Sequence, residues 1–200
     1  MIQSSMKAMV TIGNGGYDCL VYKDVPAPKI DNGEVLIKVL AAGVNNTEVN
    51  TRLGWYSSSV NASTNEISYS KVESIDSKRD GGWNNQTPFP LIQGTDCCGL
   101  VVSVANNADN YLIGKRVLVR PCVRQHGFGS LDNIWMGSDF DGAFAEFLKT
   151  RASEVFPVIC DWTDAELGTI PCAYGTSENM LHKANLTSGE TVLVTGASGG

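Results

Sequence analysis

The chain has 200 residues, enough for one sizeable domain or for one domain and the opening of a second. It is 42% hydrophobic and 18% charged with a formal net charge of −6, the make-up of a soluble globular protein. That acidic balance argues against a nucleic-acid or anionic-membrane partner, and no apolar run approaches the roughly 18–20 residues that cross a bilayer. The stretch Met1 to Met9 lacks the basic-then-apolar pattern of an export signal, so a cytoplasmic setting is expected. Six cysteines without a C-x-x-C pair then suit reduced thiols better than a disulfide framework or a zinc knuckle.

In chain order, Lys7–Ile12 predicts a strand, and a Gly13-Asn14-Gly15-Gly16 turn leads to a second at Cys19–Tyr22. Val25-Pro26-Ala27-Pro28 is held extended by proline. Glu34–Gly43 is the clearest strand, with Val35, Ile37 and Val39 alternating against Leu36, Lys38 and Leu40. Residues 46–53 predict one or two helical turns capped by Asn45 or Asn46. Residues 57–87 are rich in Ser and Asn and predict a polar insert, either a lid or a solvated surface loop. Gly94 and Gly99 feed a buried strand at Leu100–Val104; Lys115–Arg120 and Gly142–Leu148 predict two more. Thr163 and Glu166 stand at capping-box spacing, and a second helix is expected over about Ala173–Ala184. Short strands followed by two helices and a strand describe a barrel-like β domain leading into an α/β unit.

The final segment, Val192-Leu193-Val194-Thr195-Gly196-Ala197-Ser198-Gly199-Gly200, runs an apolar strand into a glycine-rich turn. Such a turn lets a backbone approach a pyrophosphate, with the next helix aiming its N–H groups at it. Alone it is a weak signal. Four other segments precede it in order: Gly33–Val39, Ala41-Ala42-Gly43-Val44-Asn45, Phe89–Gly99 (FPLIQGTDCCG) and Gly114-Lys115-Arg116-Val117. In that order and spacing the chain resembles the medium-chain dehydrogenase/reductase superfamily, and within it the branch of quinone reductases and alcohol-dehydrogenase-like proteins. The resemblance covers nearly the whole chain except the insert.

It implies a mainly β GroES-like barrel with short helices at residues 6–155. The truncated start of a Rossmann domain would follow at 156–200, with substrate and nicotinamide meeting between the two in the full-length protein. Zinc-dependent members build a catalytic site from a Cys, a His-Glu pair and a second Cys; by motif these fall on Asn45, Thr95, Asp96 and Cys172. Neutral Asn and Thr oxygens are poor partners for zinc, so no metal ligand is assigned and zinc-free chemistry is expected. Asn45 and Thr47 are the catalytic candidates: an amide and a hydroxyl able to stabilise charge on a substrate oxygen, although both also suit a helix cap. Many quinone-reductase relatives carry a tyrosine where this chain has Asn50, which leaves the proton donor unassigned. Arg52 matches a basic residue of those relatives, with a surface salt bridge as the equal alternative.

Thr176 matches a position that lies against the nicotinamide in the family, and Gly196, Ala197, Gly199 and Gly200 match the phosphate-binding turn. NADP is the implied cofactor, with NAD open because the ribose-reading residue is beyond Gly200. The implied partner is a small-molecule substrate, a quinone, enone, alcohol or aldehyde, handled by a homo-oligomer. The 200 residues alone are expected to be inactive. Two rival readings stay open, a non-catalytic GroES-like binding module and a zinc alcohol dehydrogenase with atypical ligands.

Overall fold

The computed structural model describes residues 4–57, 81–127, 129–130 and 132–196. The predicted polar insert therefore lies for the most part outside the described residues. The architecture is mainly antiparallel β. Strand β1 (Ser5–Thr11) pairs along its whole length with β2 (Leu20–Pro26) and, at Val10 and Thr11, with β4 (Leu91–Ile92). Strands β3 (Glu34–Ala41), β5 (Cys98–Val104), β6 (Arg116–Val119), β9 (Phe147–Arg151) and β10 (Val155–Pro157) form a second sheet in the order β10-β6-β5-β3-β9. A short hairpin, β7 (Cys122–Arg124) against β8 (Asn133–Trp135), stands apart.

The two sheets are joined by the segment entering β9. Phe144 accepts from Met9 N–H at 2.8 Å, Glu146 N–H donates to Lys7 at 3.0 Å, and Val39 N–H donates to Glu146 at 3.0 Å. Because 142–145 serve as this strap, the predicted strand at Gly142–Leu148 begins only at Phe147 and continues to Arg151. The alternation in β3 holds only in part: Val35 and Ile37 are fully buried with Val101, Leu112, Val117, Val119, Met136 and Leu148, but Leu36 on the opposite face is buried too, and only Lys38 and Leu40 are exposed. A smaller cluster of Met6, Ala8, Val10 and Ile92 fills the other sheet. Each buried Val, Leu, Ile or Met contributes about 1.5–3 kcal/mol of apolar burial, and Val35 and Ile37 thereby fix the register of β3 against a one-residue slip.

Register shifts in the β3–β5 pairing, between Leu36 and Ile37 and between Val39 and Ala41, bend β3 as it leaves the sheet. The chain then enters helix α1 (Asn46–Leu53), which stops at Gly54, a C-cap in the left-handed conformation. The predicted box forms at Thr163: its hydroxyl accepts from Glu166 N–H at 3.2 Å and the Glu166 carboxylate accepts from Thr163 N–H at 2.7 Å. It starts helix α2 (Asp164–Leu167), which packs on β3 and β5. Helix α3 (Pro171–Lys183) begins two residues before the expected start because proline at the first position lacks only an N–H that would be orphaned anyway.

One expected strand is unpaired among the described residues. Thr191–Val194 lies in no sheet, and Leu193 is 88% exposed. The apolar run has the composition of a buried parallel strand, but a strand needs a neighbour to complete its ladder, and the described residues offer none beside it.

Candidate active site

Four elements converge on one small region. The loop from β3 ends at Asn45, the residue that caps α1. Three residues on, Glu48 reaches back, and its Oε2 accepts from Asn45 N–H at 2.6 Å. Glu48 is only 4% exposed. Its other oxygen, Oε1, accepts from the Thr95 N–H at 2.8 Å and the Thr95 hydroxyl at 2.7 Å. Thr95 stands in the buried turn between β4 and β5, and neighbouring Gln93 donates to the Glu48 carbonyl at 3.1 Å while accepting from Thr11 at 2.8 Å. This buried lattice of charge-assisted bonds locks α1 onto the β4–β5 turn.

On that scaffold sit the four positions that the resemblance singled out. Asn45 Nδ2 donates to Thr95 Oγ1 at 3.2 Å and to Asp96 Oδ2 at 2.9 Å. Asp96 Oδ1 accepts from Cys172 N–H, in the first turn of α3, at 2.6 Å. The Thr95 and Thr47 side chains lie near enough to the Cys172 thiol to pull its pKa down. Asn45, Thr47, Thr95, Asp96 and Cys172 thus form one cluster with Glu48 beneath it. Gly43 makes the close approach feasible: a Cβ there would stand 2.6 Å from Asp96 Oδ2 and 2.7 Å from the Gly168 carbonyl.

Desolvation dominates the electrostatics. Burial pushes the Asp96 carboxyl above its usual range, and the bonds from Asn45 and Cys172 pull it only part of the way back. Burial likewise raises the Cys172 thiol, against the opposing pull of Thr95 and Thr47 and with help from the nearby Asp96 and Glu48 charges. A thiol held up in this way is a weaker nucleophile at neutral pH than an ordinary cysteine.

The donor set fits zinc badly. Asn45 turns its hydrogen-bearing nitrogen, not a lone pair, into the cluster, and the Thr95 hydroxyl spends its proton on Glu48. Among the described residues no group of three or more His, Cys, Asp and Glu side chains could hold a metal ion. His126 sits on the surface, 3.9 Å from Asp132.

The remaining sequence candidates divide. Both Asn45 amide hydrogens are taken by protein acceptors, so donation to a substrate would require one of them to leave Thr95 or Asp96. Thr176 is exposed, one turn beyond Cys172 on α3, and its hydroxyl donates to the Cys172 carbonyl at 2.8 Å. Gly196 is exposed with φ +67°; Ala197, Gly199 and Gly200 lie outside the described residues. Arg52 is buried, not a surface ion-pair partner: it donates to the Gly15 carbonyl and lies 5.0 Å over the Tyr17 ring. Sequence reasoning passed over Glu48 and Gln93. The Asn45–Glu48 spacing is that of a capping box and marked Glu48; nothing local marked Gln93. A cavity of about 810 Å³ lies away from this cluster, between β1, β2 and β9, lined by Lys23, Val25, Pro90, Phe140 and Phe147.

Among the described residues no helix is long and apolar enough to cross a membrane. Residues 31–160 match the alcohol dehydrogenase GroES-like domain. An acryloyl-coenzyme A reductase of Metallosphaera sedula is 27% identical over 205 residues, covering 98% of this chain and 52% of its own length. A NAD-dependent alcohol dehydrogenase of Sulfolobus acidocaldarius is 27% identical over 207 residues, with the same coverage. A solved Sinorhizobium meliloti structure, provisionally named an alcohol dehydrogenase, superposes with a TM-score of 0.79 at 40% identity, covering 100% of this chain and 52% of that one. The chain thus spans about half the length of the relatives it matches. The antiparallel sheets, the cluster beside them and these matches agree: the chain belongs to the alcohol dehydrogenase GroES-like domain family, within the medium-chain dehydrogenase/reductase superfamily.

Proposed function

We propose that the full-length protein is an NAD(P)H-dependent oxidoreductase that works without zinc and delivers hydride to an activated double bond or carbonyl in a quinone, enone or aldehyde. The observation that carries this reading is the closed hydrogen-bond set at Asn45, Thr95, Asp96 and Cys172, in which an amide and a hydroxyl stand where zinc enzymes need a thiolate and an imidazole. The reductase and dehydrogenase names of the relatives support hydride chemistry, and the acryloyl-coenzyme A reductase supports an activated double bond as acceptor.

In this reading a reduced nicotinamide supplies the hydride when bound, with NADP preferred and NAD the alternative. Thr47 offers its hydroxyl to the substrate oxygen, and Asn45 forms the wall behind it. Thr176 borders the nicotinamide, and Gly196, Ala197, Gly199 and Gly200 contact the phosphates, where absent or single-methyl side chains let the backbone come close. The barrel orients the substrate and keeps water out.

The test uses full-length protein: metal analysis, and NADPH or NADH oxidation with quinone, enone and aldehyde acceptors, with and without a strong chelator. Substoichiometric zinc with chelator-resistant turnover is expected. Near one zinc per chain, with turnover lost on chelation, would establish the zinc alcohol dehydrogenase instead. No oxidation of either nucleotide would leave the non-catalytic binding module.

A further inference from the structure

We infer that Asp96 is a positioning residue for hydride transfer, its two carboxylate oxygens tying the substrate-side loop at Asn45 to the first turn of α3, which carries Thr176. The inference rests on the proposed oxidoreductase reading.

Three observations converge on it. Asp96 is 1% exposed and bridges two segments far apart in sequence, with Asn45 Nδ2 on Oδ2 at 2.9 Å and Cys172 N–H on Oδ1 at 2.6 Å. Helix α3 has no side-chain cap of its own. Its N-cap residue, Ile170, is itself in a helical conformation and Pro171 follows, so the first-turn N–H at Cys172 takes its acceptor from the β4–β5 turn. Gly43 clears the space for this carboxylate, since any Cβ there would collide with Asp96 Oδ2.

The carboxylate is an expensive choice for stability alone. Burial raises the Asp96 carboxyl despite its two N–H donors, and a buried charge commonly stabilises less than a well-packed apolar residue would. Geometry supplies the function instead. Thr176 hydrogen-bonds the Cys172 carbonyl at 2.8 Å, so Asp96, Cys172 and Thr176 form a continuous chain from the substrate loop to the nicotinamide side. The four-residue step from 172 to 176 spans about 6 Å of helix. A displacement of about 1 Å between reacting groups costs up to roughly 100-fold in rate.

The experiment uses full-length protein and three variants: Asp96→Asn, Asn45→Asp, and the two combined. Asp96→Asn sets an N–H₂ group against either Asn45 or Cys172 N–H. The combined variant restores donor to acceptor at position 96, because the new amide oxygen takes Cys172 N–H while its nitrogen donates to the new carboxylate at 45; only the weaker 3.2 Å donation from position 45 to Thr95 is given up. Asp96→Asn is expected to lower kcat about 10-fold or more while KM for the nucleotide stays nearly unchanged, and the combined variant is expected to recover most of that loss. Amide hydrogen exchange over residues 170–176 should quicken in Asp96→Asn and slow again in the combined variant. Should Asp96→Asn fail to fold, Asn45→Ala cuts the same tie from the other side and must show the same selective loss of kcat.

Unchanged kcat in folded Asp96→Asn and Asn45→Ala, with wild-type turnover intact, overturns the positioning role and leaves the oxidoreductase reading standing. A fall in kcat that the exchanged pair does not recover also overturns it. If the wild-type protein oxidises neither nucleotide, the oxidoreductase reading fails and takes the positioning role with it; hydrogen exchange then still reports whether the tie exists.

Discussion

Replacing Glu48 by glutamine changes one carboxylate oxygen into an N–H₂ group at a site where three donors converge. Asn45 N–H points at one oxygen at 2.6 Å, and the Thr95 N–H and hydroxyl point at the other at 2.8 and 2.7 Å. The hydroxyl can rotate and accept instead; the two backbone N–H groups cannot. Whichever way the amide is turned, one N–H faces another donor, either that of buried Thr95 or that of part-buried Asn45. An orphaned buried donor costs about 1–3 kcal/mol, and loss of charge assistance in the bonds that remain adds about 1 kcal/mol. The expected total is about 2–4 kcal/mol, or a Tm lower by about 5–15 °C for a chain of this size. Thermal and urea unfolding followed by far-ultraviolet circular dichroism on wild type and Glu48→Gln measures it. A loss under about 0.5 kcal/mol, the range of neutral surface changes, would refute the claim that this carboxylate holds α1 to the β4–β5 turn.

Three further outcomes follow from the packing. Gly99→Ala places a Cβ against Ile37 Cγ2 and 2.8 Å from the Lys38 carbonyl, both in paired strand; a loss of about 1–3 kcal/mol is expected in the same urea melt, and a neutral result would count against the β3–β5 register. Trp83 is stacked on Trp135 at 5.4 Å and packs at a tilt on Tyr56 at 4.8 Å, so Trp83→Ala removes two ring pairs worth together about 1–3 kcal/mol and should speed proteolytic cutting at 81–87; unchanged cutting would show that these rings do not anchor this arm. Burial pushes the Cys98 thiol up to about 11, and Cys97 higher still, which lowers their thiolate fraction at any given pH. Exposed Cys160 should therefore alkylate first at pH 8, where a thiol titrating near 11 is only about one part in a thousand thiolate; peptide mass mapping that finds Cys97 or Cys98 labelled alongside it would contradict the burial.

The chain's own pattern determined what depends on near neighbours. The apolar alternation of Val35, Ile37 and Val39 makes β3 a strand wherever a partner exists, and the Thr163–Glu166 box starts α2 from groups three residues apart. The order of its motifs also marked Asn45, Thr95, Asp96 and Cys172 as positions belonging together. Tertiary structure alone decided how those four meet. Their bonds join residues 50 to 76 apart in sequence, and which atom donates depends on the bulged register of β3 and on the angle at which α3 arrives. Gln93 stayed hidden for the same reason, since its amide meets the Glu48 carbonyl 45 residues away and nothing in its local sequence says so. The apolar run at Val192–Val194 shows the converse. Composition can favour a buried strand, but hydrogen-bond partners for its backbone come only from other segments, and without them the run is exposed.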